Sequence, residues 1–172
     1  MPLIVTPGAA DADSYPTIAM ADAYHLARGN ATWAGADAVK EPALRRATAW
    51  LNGAYKARWP GVRTFGRVQA LDWPRVDAYD REGLYIFGST IPPEIVAACC
   101  EAALRELVAP GSLSPDVTPG AATVLTQVGE IGWTPLRTNA DVTDMAPTLL
   151  AVDRALSGIL ASGGQTVQLV RA

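Results

Sequence analysis

Residues 91–108, IPPEIVAACCEAALRELV, decide how the rest of the chain is arranged. Pro92 and Pro93 suit the first turn of a helix, where a missing N–H costs nothing, and Glu94 favours its positive end. Pro110-Gly111 closes the run. In between, Ile95, Val96, Cys99, Cys100, Ala103, Leu104, Leu107 and Val108 make it apolar on more than one side. Such a helix must be covered on more than one side. It is therefore expected at the centre, with other helices laid against it.

Those helices are legible on either side. Thr17 reads as the N-cap of a helix over Ala19–Arg28, stopped by Gly29-Asn30. Pro42 suits the first position of a second helix running to Tyr55 or Arg58, with Leu44, Ala47, Leu51 and Tyr55 as its apolar stripe. Pro147 opens a last helix over Thr148–Leu160. Residues 60–90, rich in Gly, Arg and aromatics, hold no lasting period. They read as an ordered excursion anchored by Trp73, because Pro74 disfavours helix before it. Residues 123–128 and 131–134 flank Gly129-Glu130 as a β-hairpin. Beyond Gly163-Gly164, Thr166–Arg171 alternates apolar and polar residues as a strand.

The expected fold is mainly α: a small bundle of about four helices with a β-hairpin and an extended C-terminal strand. It forms one domain over 1–172, divided into an N-terminal arm (1–13), a helical core (14–108), the hairpin (121–134), a C-terminal helix (147–161) and a docking strand (164–172).

Composition narrows the function. Hydrophobic residues make up 49% and charged residues 18% of 172, too apolar for a disordered chain and thinly charged for a monomer's surface. No apolar run approaches the ~18 residues of a membrane span, and Met1-Pro2-Leu3 lacks the basic start of a signal peptide. The chain is expected to be soluble and cytoplasmic. Cys99 and Cys100 diverge by about 100° on a helix, which suits neither a disulfide with each other nor a CxxC-type metal clasp. Residues 40–81 carry nine basic side chains against four acids, although the whole chain is at −3. Twelve of the fourteen basic residues are arginine, the better residue for bidentate pairing and interfaces. A basic middle with acidic ends suits head-to-side packing in a ring, the lining of a channel that carries DNA, or a salt-bridged solvated face.

Chemistry is harder to find. The single histidine, His25, has no nucleophile motif beside it; there is no phosphate loop, no GxSxG and no metal-ligand spacing. No enzyme activity, cofactor or metal is expected. Arginines interleaved with Tyr55, Trp59, Phe65 and Trp73 can supply phosphate contacts and base stacking, although helical and turn features flanking Trp50, Trp59 and Trp73 favour burial and the net acidity opposes high affinity for nucleic acid.

Ser14-Tyr15, Ala21-Asp22-Ala23-Tyr24, Arg28-Gly29-Asn30, Arg45-Arg46-Ala47-Thr48, Gln69-Ala70-Leu71-Asp72-Trp73-Pro74-Arg75 and Ile91-Pro92-Pro93-Glu94-Ile95 occur in that order. In this the chain resembles a tailed-phage and prophage family often labelled DnaT-like ssDNA-binding protein and similar to head–tail connector (adaptor, head-completion) proteins. The resemblance spans the chain and is strongest over 14–108. Its adaptor side implies a structural virion protein of the head–tail neck, assembled in the bacterial host cytoplasm. This would be a dodecameric ring beneath the portal that extends the channel for genomic dsDNA and meets a downstream neck, stopper or tail protein. Its primosomal side implies sequence-independent binding of single-stranded DNA. Under the adaptor reading, Thr166, Val167, Gln168, Leu169, Val170 and Arg171 are expected to dock on the portal or a neighbouring subunit. Val124, Leu125, Gln127, Glu130 and Trp133 are expected to contact subunits or line the channel. Arg45, Arg46, Arg58, Arg63 and Arg67 are expected to form inter-subunit ion pairs or face DNA.

Overall fold

The computed structural model describes residues 2–116 and 148–161, together with the backbone of 123–127 and 132–135. Four α-helices dominate: α1 (Ile18–Ala27), α2 (Asp37–Tyr55), α3 (Pro93–Val108) and α4 (Leu150–Leu156). The architecture is the small, mainly helical one expected, and α3 is its centre. α2 and α4 both pack on α3, and α1 lies across α3 and the start of α2. Small residues on α3 (Ala98, Cys99, Ala102, Ala103), all fully buried, let α2 approach closely enough for Thr48 Oγ1 to lie 3.2 Å from Cys99 Sγ. Leu44, Leu51, Ile95 and Leu156 fill the space between the helices. Both thiols are free and buried, and burial pushes the Cys99 thiol up to about 12.

The helix ends follow local chemistry. The Thr17 side chain accepts the Met20 N–H at 3.1 Å, the expected N-cap. α2 departs from expectation: it begins at Asp37, and Pro42 stands inside it rather than at its first position. Asp37 supplies a negative charge to its first turn. In addition, the Lys40 ammonium is held 2.8 Å from Asp22 Oδ1, tying that turn to α1. This anchoring outweighs the backbone bond that Pro42 cannot donate. α4 is shorter than expected, and its last turn continues through Leu160, where the Ile159 and Leu160 N–H groups donate to the Leu156 carbonyl.

The excursion between α2 and α3 is ordered, as expected, and it holds two small ladders that its sequence did not announce. β1 (Val62–Arg63) pairs antiparallel with β2 (Arg75–Val76), and β3 (Ala78–Tyr79) with β4 (Tyr85–Ile86). Trp73, fully buried, anchors the segment beside Trp59. Gly61, at φ +60°, sits where a Cβ would lie 2.2 Å from the Val76 carbonyl oxygen, so only glycine fits there. The third ladder is the expected hairpin, β5 (Thr123–Gln127) with β6 (Gly132–Pro135), which pairs Val124 with Thr134 and Leu125 with Trp133. The side chains of its candidate residues, Glu130 itself, and the strand Thr166–Arg171 lie outside the described residues.

Candidate nucleic-acid interface

The arginines divide into two groups. Arg45 Nε donates to Asp13 at 2.6 Å and its Nη1 reaches Glu41 at 3.5 Å, fixing the N-terminal arm to α2. Arg46 Nε donates to Glu106 at 2.6 Å. Arg63 makes two bonds to Asp72 Oδ1, at 2.8 and 2.5 Å. Arg75, which lies outside the candidate set, donates to the carbonyls of Pro60, Gly61 and Asp72. The carboxylate partners of Arg45, Arg46 and Arg63 are thus found within the chain. Arg58 and Arg67 are exposed and make no ion pair among the described residues; Arg58 lies 5.6 Å over the Tyr55 ring.

Glu106 shows what the paired arginines achieve. Its side chain is 2% exposed, and burial alone would raise its pKa. The N–H groups of Gly111 and Leu113 and the Arg46 guanidinium overcome that and hold the carboxyl below its ordinary 4.5. The side chain closes the loop that leaves α3. Arg46 is therefore part of the fold's own wiring.

The aromatics divide in the same way. Tyr55, Trp59 and Trp73 form a buried row, with ring centroids 5.7 and 5.9 Å apart. Trp59 and Trp73 are core side chains, as the helical and turn features flanking them favour. Phe65, by contrast, is 57% exposed. A second row lies on the β3–β4 hairpin, where Tyr79, Tyr85 and Phe87 are 54%, 45% and 69% exposed with centroids 5.5 and 5.6 Å apart. Tyr79 and Tyr85 are cross-strand partners, and Phe87 follows two residues on, so the three rings share one face. Thr64 Oγ1 donates to the Gly88 carbonyl at 2.8 Å, joining the Phe65 loop to the Phe87 end of that face. Among the described residues, seven of the twelve large exposed apolar side chains lie within residues 62–87. Of these, Tyr79, Tyr85 and Phe87 stand together as one exposed apolar face.

Cations sit at its border. Arg81 lies in the hairpin turn, and its N–H donates to the Gly158 carbonyl at 2.8 Å. Arg58 is bonded through its carbonyl to the Ala161 N–H at 2.8 Å, beside the hollow that Tyr79 and Arg81 share. Lys56 and Arg67 extend the exposed set. The hairpin itself carries Asp77, Asp80 and Glu82; Asp80 Oδ1 is used locally, accepting the Glu82 and Leu84 N–H groups. The surface is thus aromatic first and only mildly basic. Its row was missed in the sequence, where the alternation Leu84-Tyr85-Ile86-Phe87 after Gly83 was the available signal.

Elsewhere, an open groove of about 800 Å³ runs along α1, bordered by Leu26, His25, Trp33 and the Asp22–Lys40 pair. His25 is 1% exposed; its Nδ1 lies 3.0 Å from Asn30 Nδ2, and its ring packs on Trp33 at 4.5 Å. Burial lowers its pKa below 6.5, as suits a neutral core histidine. No cluster of three metal-binding side chains occurs among the described residues, and no described helix is long and apolar enough to cross a membrane.

Fold and surface together define a small helical protein that displays a row of aromatic rings beside scattered arginines. The chain belongs to the family described as "Putative DnaT-like ssDNA binding protein", whose model matches residues 1–172. Comparison with curated proteins and with solved structures gives no match.

Proposed function

We propose that this protein is a non-catalytic binder of single-stranded DNA that uses the exposed face of Tyr79, Tyr85 and Phe87. The observation that carries the reading is this solvent-facing row of rings in a chain whose family description names that ligand. Every base offers a π-face, so stacking on such a row is tolerant of sequence. Lys56, Arg58, Arg67 and Arg81 supply the phosphate contacts. Four such contacts on a single strand give a slope of about −3 in log K against log salt. The test is a titration of fluorescent oligo(dT) at several salt concentrations. Saturable binding with that slope supports the reading, and absence of binding at low salt refutes it.

A second reading is favoured by a different observation: the surface is mainly apolar, three candidate arginines are spent inside the chain, and the net charge is −3. These suit a protein partner better than a phosphate backbone. In this reading the chain is a head–tail adaptor in the virion neck, ringed beneath a portal protein, with 166–171 as its docking strand. A closed ring by mass, without oligo(dT) binding, would select it over the first.

A further inference from the structure

We infer that the aromatic face of the β3–β4 hairpin selects single strands by how weakly their neighbouring bases stack on each other, taking thymine runs well ahead of adenine runs. The inference rests on the single-strand reading and adds to it the class of strand that the face accepts.

The angles between the rings decide this. The plane of Tyr79 is turned 65° from that of Tyr85, and the plane of Tyr85 is turned 84° from that of Phe87. Each ring meets its neighbour edge to face, and all three keep open surface on which a base can lie. A stacked base lies parallel to the ring beneath it. Two bases on adjoining rings are therefore steeply inclined to one another, and the stack between them is broken at both steps. A purine strand gives up strong base–base stacking to enter the row, whereas a pyrimidine strand has little to give up. A duplex, whose bases stay parallel, finds no seat on the row.

The hairpin holds these angles before a strand arrives. Edge to face is an arrangement that ring quadrupoles favour over a parallel sandwich. Tyr79 and Tyr85 are cross-strand partners, so the ladder sets where their rings begin. Asp80 closes its turn: Oδ1 accepts the Glu82 and Leu84 N–H groups at 2.9 and 2.8 Å. The Asp80 N–H donates to the Leu84 carbonyl at 3.0 Å. Ala78 is fully buried on the opposite face. The Arg81 N–H bond to Gly158 and the Thr64 hydroxyl bond to Gly88, both 2.8 Å, secure the two ends. Turning the rings parallel would break both edge-to-face contacts.

The test is displacement of fluorescent oligo(dT) by unlabelled oligo(dT) and oligo(dA) of equal length at one low salt concentration. Oligo(dA) should compete about tenfold more weakly. A second pair of strands, in which every other nucleotide is abasic, separates unstacking from recognition of the base itself. Isolated adenines have no neighbour to unstack from, so this pair should compete within about twofold of each other. Tyr85→Ala removes both inclined steps and should bring the ratio for the unbroken strands to about threefold or less. Equal competition by the unbroken strands overturns the inference. So does a thymine preference that persists in the abasic pair, which would place selection at the base edges, or a ratio that Tyr85→Ala leaves unchanged. If the parent does not bind oligo(dT), the single-strand reading fails and the inference falls with it; binding without discrimination removes the inference alone.

Discussion

The molecule holds two rows of aromatic rings at nearly the same spacing, and they have opposite fates. Tyr55, Trp59 and Trp73 are within 6% of full burial, whereas Tyr79, Tyr85 and Phe87 stand in solvent. The first row is clamped between α2, the β1–β2 ladder and the chain around the Trp73–Pro74 cis bond. The second rides on a ladder of two residues per strand, in which Ala78 and Ile86 pack on the core and the Arg81 N–H is bonded to the Gly158 carbonyl. Aromatic type and ring spacing therefore do not separate scaffold from site. What separates them is whether a helix lies over the rings.

The largest effect expected from this contrast is on stability. Trp73→Ala should cost about 3–5 kcal/mol, as removal of a large core side chain does, and chemical denaturation would read it. Replacing Tyr79, Tyr85 and Phe87 together by Ala should change stability by no more than about 1 kcal/mol in the same assay. If the two rows proved equally costly, the division between them would fail.

Next in size is the wiring around α3. Glu106→Gln leaves the Gly111 and Leu113 N–H groups and Arg46 facing a neutral amide, and should cost about 1–3 kcal/mol. Its carboxyl is held below 4.5 in the folded state, so its contribution is present above that value and lost as pH falls through the folded pKa. Denaturation midpoints should drop below about pH 4.5 in the parent, and less so in Glu106→Gln.

A smaller effect belongs to His25. Burial depresses its pKa below 6.5, so the unfolded chain takes up the proton first and stability declines as pH drops below 6.5, levelling beneath the folded pKa. His25→Gln should remove that part of the decline; an unchanged profile between pH 6.5 and 5 would show that the ring is not held neutral. The smallest expected effect is on salt dependence: Arg67→Ala should reduce the oligo(dT) salt slope by about 0.7 without changing stability, whereas Arg63→Ala, which strands Asp72, should lower stability.

Much of the scaffold was legible because helix punctuation acts locally. Thr17, Pro92-Pro93 and the apolar runs on α3 each act within a turn or two, and the helices formed where those signals stand. Pro42 misled because the turn before it is held by Lys40 to Asp22, a contact across elements. The arginines were legible as a cluster, but their partners were not: Arg46 meets a carboxylate 60 positions away. The exposed aromatic row lay in plain alternation at 84–87. Its exposure follows from the absence of a covering helix among the described residues, which no local pattern records.

The central claim is that the exposed row, and not the buried one, is the working surface. It is tested most directly by titrating fluorescent oligo(dT) with the parent chain and with the Tyr79→Ala, Tyr85→Ala, Phe87→Ala variant at low salt. Stacking on alanine-sensitive aromatics is worth about 1–3 kcal/mol per base. The parent should therefore bind saturably, and the folded variant should bind at least tenfold more weakly. Equal affinity for the two proteins would contradict the account.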